Sequence, residues 1–120
     1  MNEFQIKLKQ TMNEFAHLIY EITMAFPNEE RYSTVSQMRR AALSIALNYV
    51  EGYARRKPLV RINFLEISYG SLSEIEFLLG FVKDEKFIGP KTHEKCMTFT
   101  KEIGSMLWTE TEKLRNAQQK

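Results

Sequence analysis

The chain has 120 residues, 43% of them hydrophobic and 27% charged, with a formal net charge of +2. This composition is typical of a soluble globular protein, and the length predicts one domain with a modest core. So small a net charge does not by itself indicate nucleic-acid binding. The single cysteine, Cys96, excludes an internal disulfide and a multi-cysteine metal site.

No apolar run reaches the roughly 18–20 residues that a transmembrane helix needs. The first ten residues, MNEFQIKLKQ, also lack the apolar segment of a secretory signal. We therefore expect a cytoplasmic protein without a membrane partner.

The first helix is predicted over about residues 2–26. Asn2 followed by Gln5 can form a capping box at its start. Pro27 ends it, because proline has no backbone N–H to donate and restricts the residue before it. The apolar face of this helix consists of Phe4, Leu8, Met12, Phe15, Ile19, Ile22 and Phe26.

A second helix is predicted over about residues 34–56, opened by a capping box of Thr34 and Gln37 and closed by Pro58. It has two apolar faces at helical spacing. The first consists of Val35, Met38, Ala42, Ile45, Tyr49 and Tyr53, and the second of Leu43, Leu47, Val50 and Ala54. A small bundle has too little protein to cover both faces, so this helix indicates an oligomer.

Third and fourth helices are predicted over about residues 59–84 and 91–116, with a break at Gly89 and Pro90 and a polar tail at 116–120. The apolar positions of the third helix are Phe64, Leu65, Ile67, Leu72, Ile75, Leu78, Leu79 and Val82. Those of the fourth are Cys96, Phe99, Ile103, Met106, Leu107 and Leu114. Four helices with short connections predict an all-α fold, an up-down-up-down antiparallel four-helix bundle that forms a single domain.

A narrow polar stripe remains on the second helix: Gln37, Arg40, Ser44, Asn48, Glu51 and Arg55. If helices two and three are antiparallel, each of these residues faces a polar or small residue: Arg40 faces Glu74, Ser44 faces Gly70 and Ser71, Asn48 faces Ser68, and Glu51 faces Asn63. We interpret the stripe as a hydrogen-bonded seam inside the bundle, with a partly buried ion pair of Arg40 and Glu74. The alternative is a ligand-binding groove built from Arg40, Asn48, Glu51 and Glu74.

Two glycines lie inside predicted helices, where glycine costs about 1 kcal/mol relative to alanine. They are Gly52 and Gly70. We interpret both as positions where a neighbouring helix approaches closely. Neither belongs to a phosphate-binding loop, because no GxGxxG or GKS/T pattern occurs.

Basic residues concentrate in residues 31–61, where seven arginines and lysines face one acidic residue, a net +6. Four of them surround the turn after helix two and are called the basic turn: Arg55, Arg56, Lys57 and Arg61. This cluster is either an ordinary solvated turn, whose positive charges stabilise the C-terminal end of the helix, or a site that binds nucleic-acid phosphates. The second interpretation gains if an oligomer gathers several copies on one rim. Arg39 and Arg40 are secondary candidates.

No sequence pattern indicates a catalytic or metal site. His17 and His93 lie on different helices, without the spacing of zinc ligands. Cys96 is interpreted as a core residue. Trp108 is interpreted as an edge residue that packs on its own bundle, with a subunit contact as the alternative. We expect a protein that is not an enzyme and needs no cofactor or metal.

Several ordered motifs resemble a known family. They are Leu18-Ile19-Tyr20, Phe26-Pro27, Glu30-x-Tyr32, Gln37-x-Arg39-Arg40-Ala41, Ser44-Ile45, Asn48, Glu51-Gly52, Arg55 and Gly70-Ser71-x-x-Glu74. The pattern is similar to that of the small four-helix-bundle proteins encoded in intervening sequences of bacterial 23S rRNA genes. It spans most of the chain, from about residue 12 to the end of helix three.

The resemblance implies a four-helix bundle that assembles as a homopentamer, a barrel with a central channel. A related branch comprises the accessory variability determinants of diversity-generating retroelements, which are basic pentamers that bind a reverse transcriptase and nucleic acid. Tyr49 and Tyr69 depart from the smaller residues of the family pattern, and we expect them to add bulk to the seam.

Residues and resemblance together predict a non-enzymatic pentameric scaffold that binds RNA or DNA through the basic turn. The first alternative is a retroelement accessory protein that docks a reverse transcriptase, and the second is a structural bundle with protein partners only. An enzyme using Arg40, Glu51 and Glu74 is least favoured, because nothing supplies a nucleophile or a tuned base.

Overall fold

Four α-helices packed side by side make up the chain, in a computed structural model that describes residues 1–119. The helices are α1 (Glu3–Thr23), α2 (Ser36–Tyr53), α3 (Pro58–Asp84) and α4 (Pro90–Gln118). Each packs on the next, α4 also contacts α1, and the bundle measures 51 × 25 × 21 Å. The predicted all-α four-helix bundle is confirmed. Lys120, the last residue of the predicted polar tail, lies outside the described residues.

The start of α1 is the predicted capping box. The Asn2 side chain accepts the Gln5 N–H at 2.8 Å, and the Gln5 side chain accepts the Asn2 N–H at 2.9 Å. The helix ends at Thr23, three residues before the predicted end. Arg39 of α2 donates to the Thr23 hydroxyl (3.0 Å) and to the Tyr20 carbonyl (3.3 Å). It thereby supplies a hydrogen-bond donor to the last turn of α1, where backbone carbonyls lack helical partners.

The capping box predicted for α2 is wrong. The helix begins at Ser36, after two short turns in residues 28–35. Ser33 has a non-helical backbone (φ −123°, ψ −105°), which separates Thr34 from the helix that it was expected to cap. The Thr34 hydroxyl donates instead to the Glu30 carboxylate at 2.8 Å.

The C-terminal end of α2 is closed by Arg61. The helix stops at Tyr53, three residues before the predicted end. The Arg61 guanidinium donates to the Gly52 carbonyl (3.2 Å) and the Arg55 carbonyl (2.9 Å), and it lies 4.8 Å from the centre of the Tyr53 ring. The next helix starts at Pro58, whose missing N–H is harmless in a first turn.

The core lies between the four helices, and its largest fully buried side chains are Tyr49, Phe15, Leu8, Met12, Ile19, Met38, Ile45, Leu65, Ile75, Leu79, Ile103 and Leu107. All twelve were among the predicted apolar positions. Two predicted core positions, Phe4 and Ile67, are exposed. On α3 the inward position belongs to Ser68, whose hydroxyl donates to the Ile45 carbonyl at 2.7 Å.

The two helical glycines differ. A Cβ atom on Gly52 would lie 3.2 Å from Phe64 Cβ and 3.4 Å from the Arg61 carbonyl oxygen, so the predicted close approach is confirmed there. A Cβ atom on Gly70 would meet no described atom within 4 Å. The close approach predicted for Gly70 is therefore wrong within this chain, because that side of α3 faces outward.

Alanine substitutions should separate these two cases. Gly52→Ala should destabilise the fold by about 1 kcal/mol, because overpacking costs about 1–3 kcal/mol and the gain in helix propensity is about 1 kcal/mol. Gly70→Ala, the matched control, should stabilise it by up to about 1 kcal/mol. Urea unfolding followed by circular dichroism measures both changes. A stabilised Gly52→Ala protein would contradict the close approach.

Candidate functional site

The polar stripe of α2 forms a seam with α3 that has the predicted register. Arg40 makes an ion pair with Glu74 and a hydrogen bond to Gln37. The hydroxyls of Ser44 and Ser71 lie 2.8 Å apart, within hydrogen-bonding distance. The two predicted contacts at these positions are confirmed.

The sequence analysis expected this ion pair to be partly buried, but it is exposed. The side chains of Arg40 and Glu74 are 56% and 43% exposed, because the seam follows the outside of the α2–α3 contact. An exposed pair of this kind contributes about 0–1 kcal/mol.

Further along the seam the register of the two helices is still the predicted one, since Ile45 faces Ser68 and Gly52 faces Phe64, but two polar side chains bond within their own helix. Asn48 donates to the Ser44 carbonyl and hydroxyl, both at 2.9 Å, instead of reaching Ser68. Glu51 pairs with Arg55 on its own helix instead of Asn63. Polar side chains one helical turn apart satisfy one another here, so the seam offers few open partners to a ligand.

The two tyrosines expected to crowd the seam lie elsewhere. Tyr49 is fully buried in the core, and Tyr69 packs against Trp108 of α4 with ring centres 6.0 Å apart. Because each ring points away from the α2–α3 groove, neither adds bulk to the seam. The prediction that Trp108 packs on its own bundle is confirmed by this contact.

Two of the four residues of the basic turn have structural partners. Arg61 holds the end of α2, as described above. Arg55 pairs with Glu51 and lies over the Phe64 ring at 5.1 Å. Arg56 and Lys57 are exposed and make no side-chain hydrogen bond or ion pair within residues 1–119. They are therefore the two charges of this turn that no side chain in residues 1–119 engages.

The secondary candidates do not join the basic turn. Arg39 closes the end of α1 and lies over the Tyr20 ring at 4.4 Å, and Arg40 belongs to the seam. Thirteen residues of α2, about 20 Å of helix, separate Arg40 from Tyr53. The predicted set of six basic residues thus occupies both ends of the bundle.

The second apolar face of α2 is exposed, as its sequence indicated. Leu43, Leu47 and Val50 stand open to solvent, and Leu47 has an exposed fraction of 63%. Together with Met1 and Ile6 they line a groove of about 440 Å³ between α1 and α2, which we call the apolar groove. It runs along α2 toward the basic turn.

A buried polar cluster was missed in the sequence. Glu110 of α4 is nearly inaccessible, and its carboxylate accepts the Tyr49 hydroxyl at 2.5 Å and the Gln5 side-chain amide at 3.3 Å. The cluster joins α1, α2 and α4 near the end that carries the basic turn. Its only sequence signal is spacing, because Glu110 follows the buried Ile103 and Leu107 by seven and three residues.

Burial dominates the electrostatics of this cluster. It raises the pKa of Glu110, and the hydrogen bonds from Tyr49 and Gln5 and the charge of Lys113 oppose that rise. Burial also raises the pKa of the Tyr49 hydroxyl, and the carboxylate that accepts its proton adds to the effect. The hydroxyl is therefore a hydrogen-bond donor at any ordinary pH.

Other chemically interesting groups offer less. Burial raises the pKa of the Cys96 thiol to about 11, so the thiolate is scarce at neutral pH. Within residues 1–119 no group of three or more His, Cys, Asp or Glu side chains is placed to hold a metal ion. In the same part of the chain, no helix combines the length and apolar character needed to cross a membrane.

The sequence matches the family described as 23S rRNA-intervening sequence protein over residues 5–109. Because this match covers most of the chain, the protein belongs to that family. Among curated proteins, none matches the sequence.

A solved structure agrees with the fold. It is the crystal structure of a protein with unknown function from the S23 ribosomal protein family of Bacteroides thetaiotaomicron VPI-5482. The two chains are 23% identical and superpose with a TM-score of 0.85, over 91% of this chain and 98% of the other. At this identity the likeness establishes the fold alone.

The buried carboxyl predicts a specific pH dependence. Its raised pKa means that folding disfavours the ionised form, so the wild type loses stability as the pH rises from about 4.5, the ordinary value, through the folded pKa. Glu110→Gln removes this titration and keeps an acceptor for Tyr49. We expect the stability of Glu110→Gln relative to the wild type to increase between pH 4.5 and 7.5 in urea unfolding.

Glu102→Gln, an exposed change on the same helix, is the matched control. For each variant the quantity compared is its difference in unfolding free energy from the wild type. If this difference changes with pH no more for Glu110→Gln than for Glu102→Gln, the assignment of a destabilising buried carboxylate is contradicted.

Proposed function

We propose that this member of the 23S rRNA-intervening sequence protein family is a non-enzymatic oligomeric scaffold that binds RNA electrostatically through its basic turn. The observation that carries the proposal is the pair Arg56 and Lys57, exposed cations without a side-chain partner in residues 1–119. They stand at the end of α2, the helix with an exposed apolar face. Oligomerisation through that face would bring several such turns together.

Two separate apolar surfaces support a closed ring. One is the apolar groove between α1 and α2. The other is a row on the outward side of α3, called the apolar ridge: Ile67, Gly70, Phe77 and Phe81. When two different surfaces of one chain bind each other, the subunits assemble head to tail. Such an assembly closes into a ring if the rotation between neighbouring subunits allows it. A homopentamer, as the family resemblance implies, is the ring that we propose.

Gathering the basic turns on one rim would strengthen phosphate binding. The field of several nearby cations adds, and each phosphate contact releases counterions and increases the salt sensitivity of binding. Contacts of this kind carry no base information, so they favour nucleic acid in general over one sequence.

A scaffold role also accounts for the polar seam. Arg40 and Glu51, which an enzyme would use, are engaged in ion pairs with neighbouring side chains. Neither of the seam serines has a histidine partner among the hydrogen bonds of residues 1–119. An enzyme that uses these groups would first have to break the seam.

A protein partner is the second candidate, favoured by the exposed Phe77 and Phe81 of the apolar ridge. The partner expected from the retroelement branch is a reverse transcriptase. A neighbouring reverse-transcriptase gene with a template repeat, and co-purification of the two proteins through the ridge, would support this candidate. Location inside an rRNA gene would instead support the intervening-sequence interpretation.

Charge reversal tests the basic turn. Arg56→Glu/Lys57→Glu should weaken binding of RNA by about tenfold or more at 100 mM salt and flatten its salt dependence, because two phosphate contacts per chain are lost. Fluorescence anisotropy of a labelled RNA across a salt series measures both effects, and circular dichroism verifies the fold.

The matched control is Lys83→Glu/Lys91→Glu, which makes the same change of charge at the opposite end of the bundle, on exposed positions. Equal losses in the two variants would mean that overall charge, and not the basic turn, governs binding. Unchanged affinity in the first variant would overturn the proposal.

A single substitution tests the oligomer. Leu47→Lys places a charge in the apolar groove, where it should dissociate the ring while leaving an already exposed position of the monomer within about 0.5 kcal/mol of its stability. Light scattering across a size-exclusion column gives the mass. Met24→Lys, another exposed apolar residue but outside the groove, should keep the assembled mass. A wild-type monomer would contradict the ring.

A further inference from the structure

A second groove lies between α3 and α4, on the side of the bundle away from the apolar groove. Near the end that carries the basic turn it is a cleft of about 520 Å³, lined by Leu59, Asn63 and Gln118 among others. It continues along the helices into a smaller cleft of about 110 Å³. Glu66 and Arg115 line both clefts, so the two form one path.

The far end of this path holds an exposed aromatic pair. Trp108 and Tyr69 lie with ring centres 6.0 Å apart at 57°, and they are 57% and 39% exposed. Burying a tryptophan ring would normally stabilise a fold strongly, yet more than half of this one faces solvent. An open aromatic surface in a groove is the feature on which nucleic-acid bases stack.

The middle of the path holds an arginine that can change partner. Arg115 pairs with Glu66 at 2.5 Å and with Glu112 at 3.4 Å, and both pairs are well exposed. Exposed ion pairs are weak, so Glu66 and Glu112 hold the Arg115 side chain only loosely. The planar guanidinium also suits phosphate geometry and stacking.

The entrance of the path is polar and continuous with the basic turn. Asn63, Gln118 and Gln119 offer amide donors and acceptors to base edges. Lys57 directly precedes α3, and twelve helical residues, about 18 Å, separate it from Tyr69. At about 3.4 Å per stacked nucleotide, this length corresponds to roughly five nucleotides.

We infer that the α3–α4 groove binds single-stranded RNA, with its backbone at the basic turn and Arg115 and an unpaired base stacked on Trp108 and Tyr69. This inference rests on the proposed function. Bases of a duplex are stacked and paired inside it, so only a single strand can place a base on the aromatic pair. The groove would therefore favour single-stranded over double-stranded RNA, a distinction that the basic turn alone does not make.

A subunit contact at Trp108 is less consistent with its surroundings. The aromatic pair is bordered by Glu66, Glu112 and Arg115, and the central part of a protein interface is depleted of charged residues. The ring contact that we propose uses the apolar groove on α1 and α2 and the apolar ridge on α3, and neither surface includes Trp108 or Tyr69. In this proposal the aromatic pair stays open in the assembly.

Trp108 is the only tryptophan, so its fluorescence reports on this groove alone. Titration of the intact protein with a 12-nucleotide oligouridine RNA should quench this fluorescence, whereas a 12-base-pair RNA duplex should bind without quenching it. Anisotropy of the same labelled RNAs gives the affinities, and light scattering gives the oligomeric mass.

Substitutions complete the test. Trp108→Ala should weaken single-strand binding about tenfold and leave duplex binding unchanged, since one stacked base is lost. Trp108→Phe should retain most of the affinity. Tyr32→Ala, the matched control, removes an exposed aromatic ring in the connection between α1 and α2, outside the groove and outside both apolar surfaces, and should change neither affinity.

Each contrary result has a distinct meaning. Equal binding of both RNAs without quenching would overturn the groove and leave the basic turn supported. Loss of the assembled mass in Trp108→Ala would overturn it by identifying Trp108 as a subunit contact. No binding of either RNA to the wild-type protein would overturn the proposed function and the groove together.

Discussion

The apolar character of α2 on two faces is the constraint on which the rest of the structure depends. Met38, Ile45 and Tyr49 occupy the centre of the bundle, so the helical repeat necessarily turns Leu43 and Leu47 outward. No rotation of α2 could bury both sets within a chain of this size. The exposed apolar groove is therefore a direct consequence of how the core is built, and it is the surface that we propose as a subunit contact.

Arginine has three different roles in this small bundle. Arg39 and Arg61 donate to carbonyls at the ends of α1 and α2, where backbone acceptors lack helical partners. Arg40 and Arg55 pair with carboxylates along the seam. Arg56, in the basic turn, makes no side-chain hydrogen bond or ion pair within residues 1–119, and net charge alone would not have distinguished these three groups.

The buried Glu110 links the ends of three helices. A carboxyl group without partners would be costly in this position, but the Tyr49 hydroxyl and the Gln5 amide satisfy it. Gln5 also belongs to the capping box of α1. The start of α1, beside the apolar groove, is thereby fixed to α4, so the polar cluster contributes to the shape of the surface that we assign to assembly.

Local patterns in the sequence determined the four helices, the two faces of α2 and the position of the basic turn, because apolar periodicity and proline act over a few residues. Tertiary structure decided the exact helix ends, the burial of Glu110, the open space beside Gly70 and the meeting of Tyr69 with Trp108. Each depends on side chains far apart in sequence, such as Arg61 reaching Gly52 or Gln5 reaching Glu110. A helical repeat specifies which residues share a face, but only the packing of neighbouring helices decides which of them find partners.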